Sequence, residues 1–378
     1  MIAQKSALSA LHRFVLWLTC ACMASFLLLG CGSKKYYTPE QAHDTLIFDR
    51  SFSSPIAANN RYGAMLKDGS LITRDGIIPY NAKIPKRARF LGESGGYYIF
   101  AKGCESVYLV RTSVLDEQAF GNQTCSIKEQ NTACSQDELE IKTTMCALSA
   151  SIKGSFLALI GSDNSMSIFD INAPAQEPKF SHKGSSVLAV NELIAAPLFL
   201  ESLVVFPTLD GRLLIVSTKT FTPERNIIIS SEKFFNNVIY LYGDDSRIFA
   251  ATPKKLISIV SGQEFSYNES IKDALFYKGY LYVLTLDGML AQLDHTLRPI
   301  NTEKFTYAKL EGIAIANDTL YTFETHGGYV IAVGLKDFSH KVYKTQDTFG
   351  RTPPNKLNFY SNSVFYYNKY YYDFERLR

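Results

Sequence analysis

Tryptophan is nearly absent: the 378 residues hold one, Trp17, inside an N-terminal apolar run. Histidine is scarce too. None of the six sits in H-E-x-x-H or pairs with another at metal-ligand spacing, so the common hydrolytic zinc motifs are missing. Charge of one sign is also lacking. Lys and Arg total 39 against 36 Asp and Glu, which leaves no basic excess to release counterions from nucleic acid. No Walker loop occurs, and no G-x-G-x-x-G follows a strand and opens a helix. The cysteines contain no C-x2-C, and no His lies between positions 44 and 181, which argues against structural zinc. What remains is a globular composition, 46% apolar and 13% aromatic, with little sign of long amphipathic helices.

The first thirty residues read as an address. Lys5, His12 and Arg13 precede an uncharged run from Phe14 to Gly30, too short for a comfortable membrane span. Cys31 directly follows Leu28-Leu29-Gly30, and this resembles the lipobox of bacterial lipoproteins. The resemblance implies cleavage after residue 30, acylation of Cys31 with palmitate-type chains and, with Gly32 rather than Asp next, sorting to the outer membrane. Residues 31–44 then form the lipidated Cys and a polar tether. Cys20 and Cys22 leave with the signal, so Cys104, Cys125, Cys134 and Cys146 remain. An even count in an exported chain favours disulfides. Neighbour pairing (Cys104–Cys125 with Cys134–Cys146) and nested pairing (Cys104–Cys146 with Cys125–Cys134) both fit.

From residue 45 onward one pattern recurs: a β-rich apolar run, a polar turn often holding Asp-Gly, and a second apolar run. LVVFPTLDGRLLIVS (203–217) and YLYVLTLDGMLAQLD (280–294) are its clearest copies. Eight copies have turns at Asp68, Cys104, Asp163, Asp210, Lys254, Asp287, His326 and Tyr370. They lie about 43 residues apart on average, the period of a β-propeller blade. Extra apolar segments, such as ALFYKG (274–279) before and RPINTEKFTY (298–307) after, bring each unit to three or four strands. The expected fold is all-β: a single eight-bladed propeller over 45–378. Its ring is closed by an N-terminal strand, Thr45 to Phe52, that completes the last blade. The long step between Cys104 and Asp163 predicts a Cys-containing insertion near 112–145.

A lipobox followed by eight such units resembles the BamB-like lipoproteins with PQQ-type propeller repeats. The pattern departs from that family in lacking both the Thr-Gly dipeptide and the docking Trp of its repeats. The resemblance implies a non-catalytic, lipid-anchored scaffold with no cofactor, monomeric within a complex, that assists outer-membrane barrel assembly beside a BamA-type partner. The alternative is a surface or periplasmic propeller that binds another protein or cell-wall glycan. An enzyme using the central channel forms a third class. The quinone-dependent dehydrogenases built on this fold stack their cofactor between a Trp and a vicinal disulfide, and the chain after residue 30 has no Trp and no adjacent Cys pair.

Other chemical motifs dissolve on inspection. Gly92-Glu93-Ser94-Gly95-Gly96 matches G-x-S-x-G, but Tyr97-Tyr98-Ile99-Phe100 follows it and reads as a strand, whereas a nucleophile elbow opens a helix. The Asp-Gly pairs are isolated, which suits turns better than calcium loops. Alternate aromatics in the tail, FYSNSVFYYNKYYYDFERLR (359–378), are expected to fill gaps between blades.

Overall fold

All eight hairpins read from the sequence become the second and third strands of eight blades. In blade six these are Tyr280–Thr285 and Met289–Leu293; an inner strand, Ile271–Tyr277, precedes them and an outer one, Pro299–Lys304, follows. The computed structural model describes residues 35–81, 83–115, 138–173, 177–346 and 358–377. Inner strands touch from blade two round to blade eight, blade eight meets blade one through Asn358–Ser361 and Ile56–Asn59, and blade one meets the inner strand of blade two through its second strand, Ala64–Leu66. Among the described residues the chain is therefore all-β, apart from a helical turn at 112–115 and a short 3-10 turn, Phe374–Arg376, near its end.

Burial explains the pattern of residues within a blade. The middle strands are covered on both faces by neighbouring blades, so they carry near-continuous Val, Ile, Leu, Phe and Tyr. All of Tyr280–Thr285 except its first residue is buried, whereas the outer Pro299–Lys304 is exposed or half-buried throughout. The two Thr-Leu-Asp-Gly turns share one construction. Thr208 Oγ1 donates to Asp210 at 2.6 Å and accepts from the Arg212 N–H at 2.9 Å. Thr285 repeats both bonds with Asp287 and Met289. Gly288 sits at φ +85, and a Cβ there would overlap the Phe305 carbonyl oxygen, so the turn needs glycine twice over.

Ring closure differs in detail from the expectation. Arg50–Ser51 does supply the outer strand of blade eight, pairing antiparallel with Tyr370 and Tyr371. Thr45–Leu46 instead runs parallel to His340–Thr345 as a fifth strand of blade seven. The chain crosses between the two blades at Phe48, which is 5% exposed and lies against Phe365 and Tyr372. One apolar side chain at a crossing point serves both blades, which a single continuous edge strand would not do. The tail aromatics are packed as expected: Phe365, Tyr366, Tyr367 and Phe374 are buried, and Phe374 stacks on Tyr321 at 4.1 Å.

A disulfide joins Cys104 to Cys146. This is the outer bond of the nested pairing and excludes neighbour pairing at both residues. Cys31, Cys125 and Cys134 lie outside the described residues, as do the signal and residues 32–34 of the tether. Cys104 lies in the turn between Tyr97–Lys102 and Ser106–Arg111 of blade two, and Cys146 leads into blade three. Glu138–Lys142, read from the sequence as part of the polar insertion, pairs with Ser106–Arg111 as the outer strand of blade two. The disulfide thus fastens one blade to the connection leading to the next.

Carboxylate-capped turns give the fold an acid sensitivity. Asp244, in the first turn of blade five, accepts from Ser246 Oγ at 2.6 Å and from Arg247 Nε at 2.8 Å. The Ser246 bond, with Arg247 behind it and against a burial penalty, holds this carboxyl at about 2. The unfolded value is near 3.9, so the folded state gains stability above it and loses that gain as pH falls through about 2. Urea midpoints measured between pH 5 and 2 are expected to fall. Asp244→Asn should be less stable above pH 4 and show a shallower decline, and an unchanged slope would contradict the assignment.

Candidate functional site

A blade enters its inner strand from one face of the ring. Loops joining blades therefore share a face with the turns between second and third strands. That face carries most of the large apolar side chains left in solvent: Tyr80, Leu188, Phe234, Phe235, Leu286 and Tyr307. Three of them lie on the loops entering blades four and five, which a backbone hydrogen bond joins. Leu188, Phe234 and Phe235 are 69%, 51% and 53% exposed, and the Phe235 N–H donates to the Ala189 carbonyl at 3.0 Å.

The loop behind them is held firmly. Asn236 donates to the Asp210 and Ser230 carbonyls at 2.9 and 3.0 Å. Asn237, fully buried, accepts from the Asn191 N–H at 2.6 Å and donates to the Leu193 carbonyl at 2.8 Å. Phe235 itself adopts φ +52, an uncommon conformation for a bulky residue. Lys233 lies over the Phe234 ring at 5.5 Å. Rigid aromatics presented on anchored loops, with a cation at the edge, are the ingredients of a protein-binding hot spot.

The centre of the ring is crossed by a strut. Asn60-Arg61-Tyr62, in the first turn of blade one, reaches the inner strands opposite. Arg61 Nη2 donates to Asp273 of blade six at 2.7 Å, and its guanidinium lies 5.3 Å from the Tyr240 ring centre of blade five. Tyr62 Oη accepts from the Ala196 N–H, just ahead of blade four, at 2.6 Å. Asn60 braces the turn by accepting from the N–H groups of Tyr62 and Gly63. Burial works against the Arg61 charge, but Asp273, together with Tyr62 and Tyr240, more than offsets it, so the guanidinium is held above its ordinary range. Sequence reading missed this strut, because no local pattern announces a contact between residues so far apart.

The motifs weighed in the sequence fall into structural places. Ser94 ends the inner strand of blade two, and its hydroxyl both donates to the Ile152 carbonyl at 2.9 Å and accepts from the Ile152 N–H at 3.0 Å. It stitches two blades together, and a strand follows it. His326 lies in a turn whose N–H groups at His326 and Gly327 donate to the buried Glu324 carboxylate. His340 faces Glu303 at 3.3 Å. Among the described residues no group of three His, Cys, Asp or Glu is placed to hold a metal ion, and no helix is long and apolar enough to cross a membrane.

Comparison with known proteins separates fold from kinship. No family model matches the chain. Among solved structures, BamB from Moraxella catarrhalis superposes with a TM-score of 0.58, covering 85% of this chain and 99% of BamB at 14% identity. The computationally designed Ika8 protein superposes at 0.56, covering 87% and 99% at 9% identity. These likenesses establish the BamB-like propeller fold and nothing finer. Sequence kinship lies elsewhere. The plasminogen-binding protein PgbB of Helicobacter pylori strain J99 is 39% identical over 374 residues, 91% of this chain and 69% of PgbB. PgbB of strain 26695 is 38% identical over 381 residues, 93% of this chain and 70% of its own length. Identity sustained at this level along nearly the whole propeller places the chain in the PgbB family.

Proposed function

We propose that this chain is a non-catalytic propeller that binds a partner protein through its anchored loop face, and that the partner is plasminogen. The observation that carries the proposal is the 39% identity to a plasminogen-binding protein across 91% of the chain. The shared part of the two proteins is thus the propeller itself. The exposed Leu188, Phe234 and Phe235 supply a surface of the required kind. Cys31 carries the acyl chains in this reading and tethers the propeller to the outer membrane. Radiolabelled palmitate should enter the wild type and fail to enter Cys31→Ala.

The test is saturable binding of the purified propeller to immobilised plasminogen, with albumin as control and PgbB in parallel. Binding by both proteins is the expected result. Binding by PgbB alone would assign the activity to the third of PgbB that this chain does not match, and would overturn the proposal. A second reading, assistance to outer-membrane barrel assembly, has in its favour the superposition on BamB. It predicts that a BamA-type barrel is recovered with the lipidated chain from crosslinked cells and lost with Cys31→Ala.

A further inference from the structure

The tether is fastened to the propeller at Tyr37. Its ring stands edge-on to Phe305 at 6.2 Å and to Tyr329 at 5.9 Å, and it packs on the apolar cluster shared by blades six and seven. The chain then continues along blade seven: the His43 N–H donates to the Val342 carbonyl at 2.7 Å, and Thr45–Leu46 pairs with the outer strand. Six residue steps separate Tyr37 from Cys31. An extended chain covers at most about 3.5 Å per residue, which holds Tyr37 within roughly 20 Å of Cys31.

Two large apolar side chains are left in solvent beside this anchor point. The Phe305 N–H donates to the Gly288 carbonyl at 2.8 Å, and the Ala308 N–H donates to the Phe305 carbonyl at 2.9 Å. The second turn of blade six and the loop entering blade seven therefore form one ledge. On it Leu286 and Tyr307 are each about half exposed. Tyr307 adopts φ +67, a left-handed conformation uncommon for an aromatic residue. Lys304 and Asp287, which flank the ledge, pair with each other.

We propose that this sector of the loop face lies against the lipid surface, with Leu286 and Tyr307 entering the headgroup region. The proposal rests on the acylation of Cys31 put forward above. The short reach from Cys31 brings the ledge to the bilayer, and an exposed Leu and Tyr suit its interface, where tyrosine places an apolar ring and a polar tip. The acyl chains hold the protein at the membrane, and the ledge sets its orientation. A ring held down at one sector stands tilted. Phe234 and Phe235, on the loop entering blade five, are two blades away round the ring and are left clear for a soluble partner.

The chain past the signal contains no Trp, so a single introduced Trp reports its position without background. The test uses Tyr307→Trp and Phe234→Trp as lipidated, palmitate-labelled protein in phosphatidylcholine vesicles, with and without bromine on the lipid acyl chains. Tyr307→Trp should lose most of its emission to bromine and shift to shorter wavelength, whereas Phe234→Trp should keep its emission. Adding Tyr37→Ala, which frees the chain as far as His43, should weaken the quenching of Tyr307→Trp, and Tyr37→Phe should retain it. Equal quenching at the two positions, no quenching of Tyr307→Trp, or quenching that Tyr37→Ala leaves at full strength would overturn the proposal. Vesicles that retain no protein, or protein without palmitate, would refute the acylation of Cys31 and the proposal with it, a result seen before any quenching is read.

Discussion

Arg61→Ala is expected to destabilise the propeller by about 3–5 kcal/mol, the usual effect of removing one partner from a buried ion pair. Both side chains are largely shielded, at 14% and 15% exposure, so Asp273 would be left uncompensated in the channel. The packing of the guanidinium on Tyr240 would go with it. Replacing both partners with apolar residues, as in Arg61→Met with Asp273→Leu, should recover most of the loss, because no charge is then stranded. Urea unfolding measures this directly: the midpoint should fall in Arg61→Ala and return in the double variant. A single variant within about 0.5 kcal/mol of wild type, the usual range for surface substitutions, would mean that the ring holds its shape without the strut.

Phe48→Ala is expected to cost a similar amount, about 3–5 kcal/mol, by opening a cavity where blades seven and eight are joined. Phe48 belongs to a cluster with Phe323, Phe365 and Phe374, and its backbone lies between two short edge pairings. Those pairings contribute only two residue pairs each, so the apolar side chain holds the seam. The nearby Arg376–Asp49 contact is a useful contrast. It is bidentate, at 3.1 and 3.2 Å, but exposed, so Arg376→Ala should shift stability far less than Phe48→Ala. Thermal unfolding of the two variants side by side separates apolar closure from ionic closure. Equal losses would show that the ion pair matters more than its exposure suggests.

Much of this fold is legible in the sequence because each blade repeats one local solution. Asp-Gly marks the turns, and alternation of apolar runs with turns every 43 or so residues marks the blades. Closure by the N-terminus was readable as well, since TLIFDRSF is strand-like and the last copy is one strand short. Its division between two blades was not, because two residues of parallel pairing leave no periodic signal. The outer strand Glu138–Lys142 was absorbed into the insertion for a related reason. Outer strands face solvent, so their polar residues imitate a loop.

The candidate surfaces were hidden more deeply. Phe234-Phe235 sits in EKFFNN, between blades, where adjacent aromatics break the alternation of a strand. That irregularity was the available clue. Arg61 and Asp273 lie 212 residues apart and meet only after the ring has closed. The BamB resemblance was sound for the fold, because propeller geometry depends on the repeat and tolerates wide sequence change. Kinship with PgbB is carried by residue identities rather than by the repeat, so the pattern alone did not reveal it.

The binding role is tested most directly by titrating plasminogen against the wild-type propeller and against Phe234→Ser with Phe235→Ser. Both side chains are about half exposed and lie outside the strands, so the double variant should unfold at the wild-type midpoint. Loss of an aromatic hot spot is worth about 2 kcal/mol or more, which predicts affinity at least tenfold weaker. Undiminished affinity in a folded double variant would contradict the loop face as the binding surface.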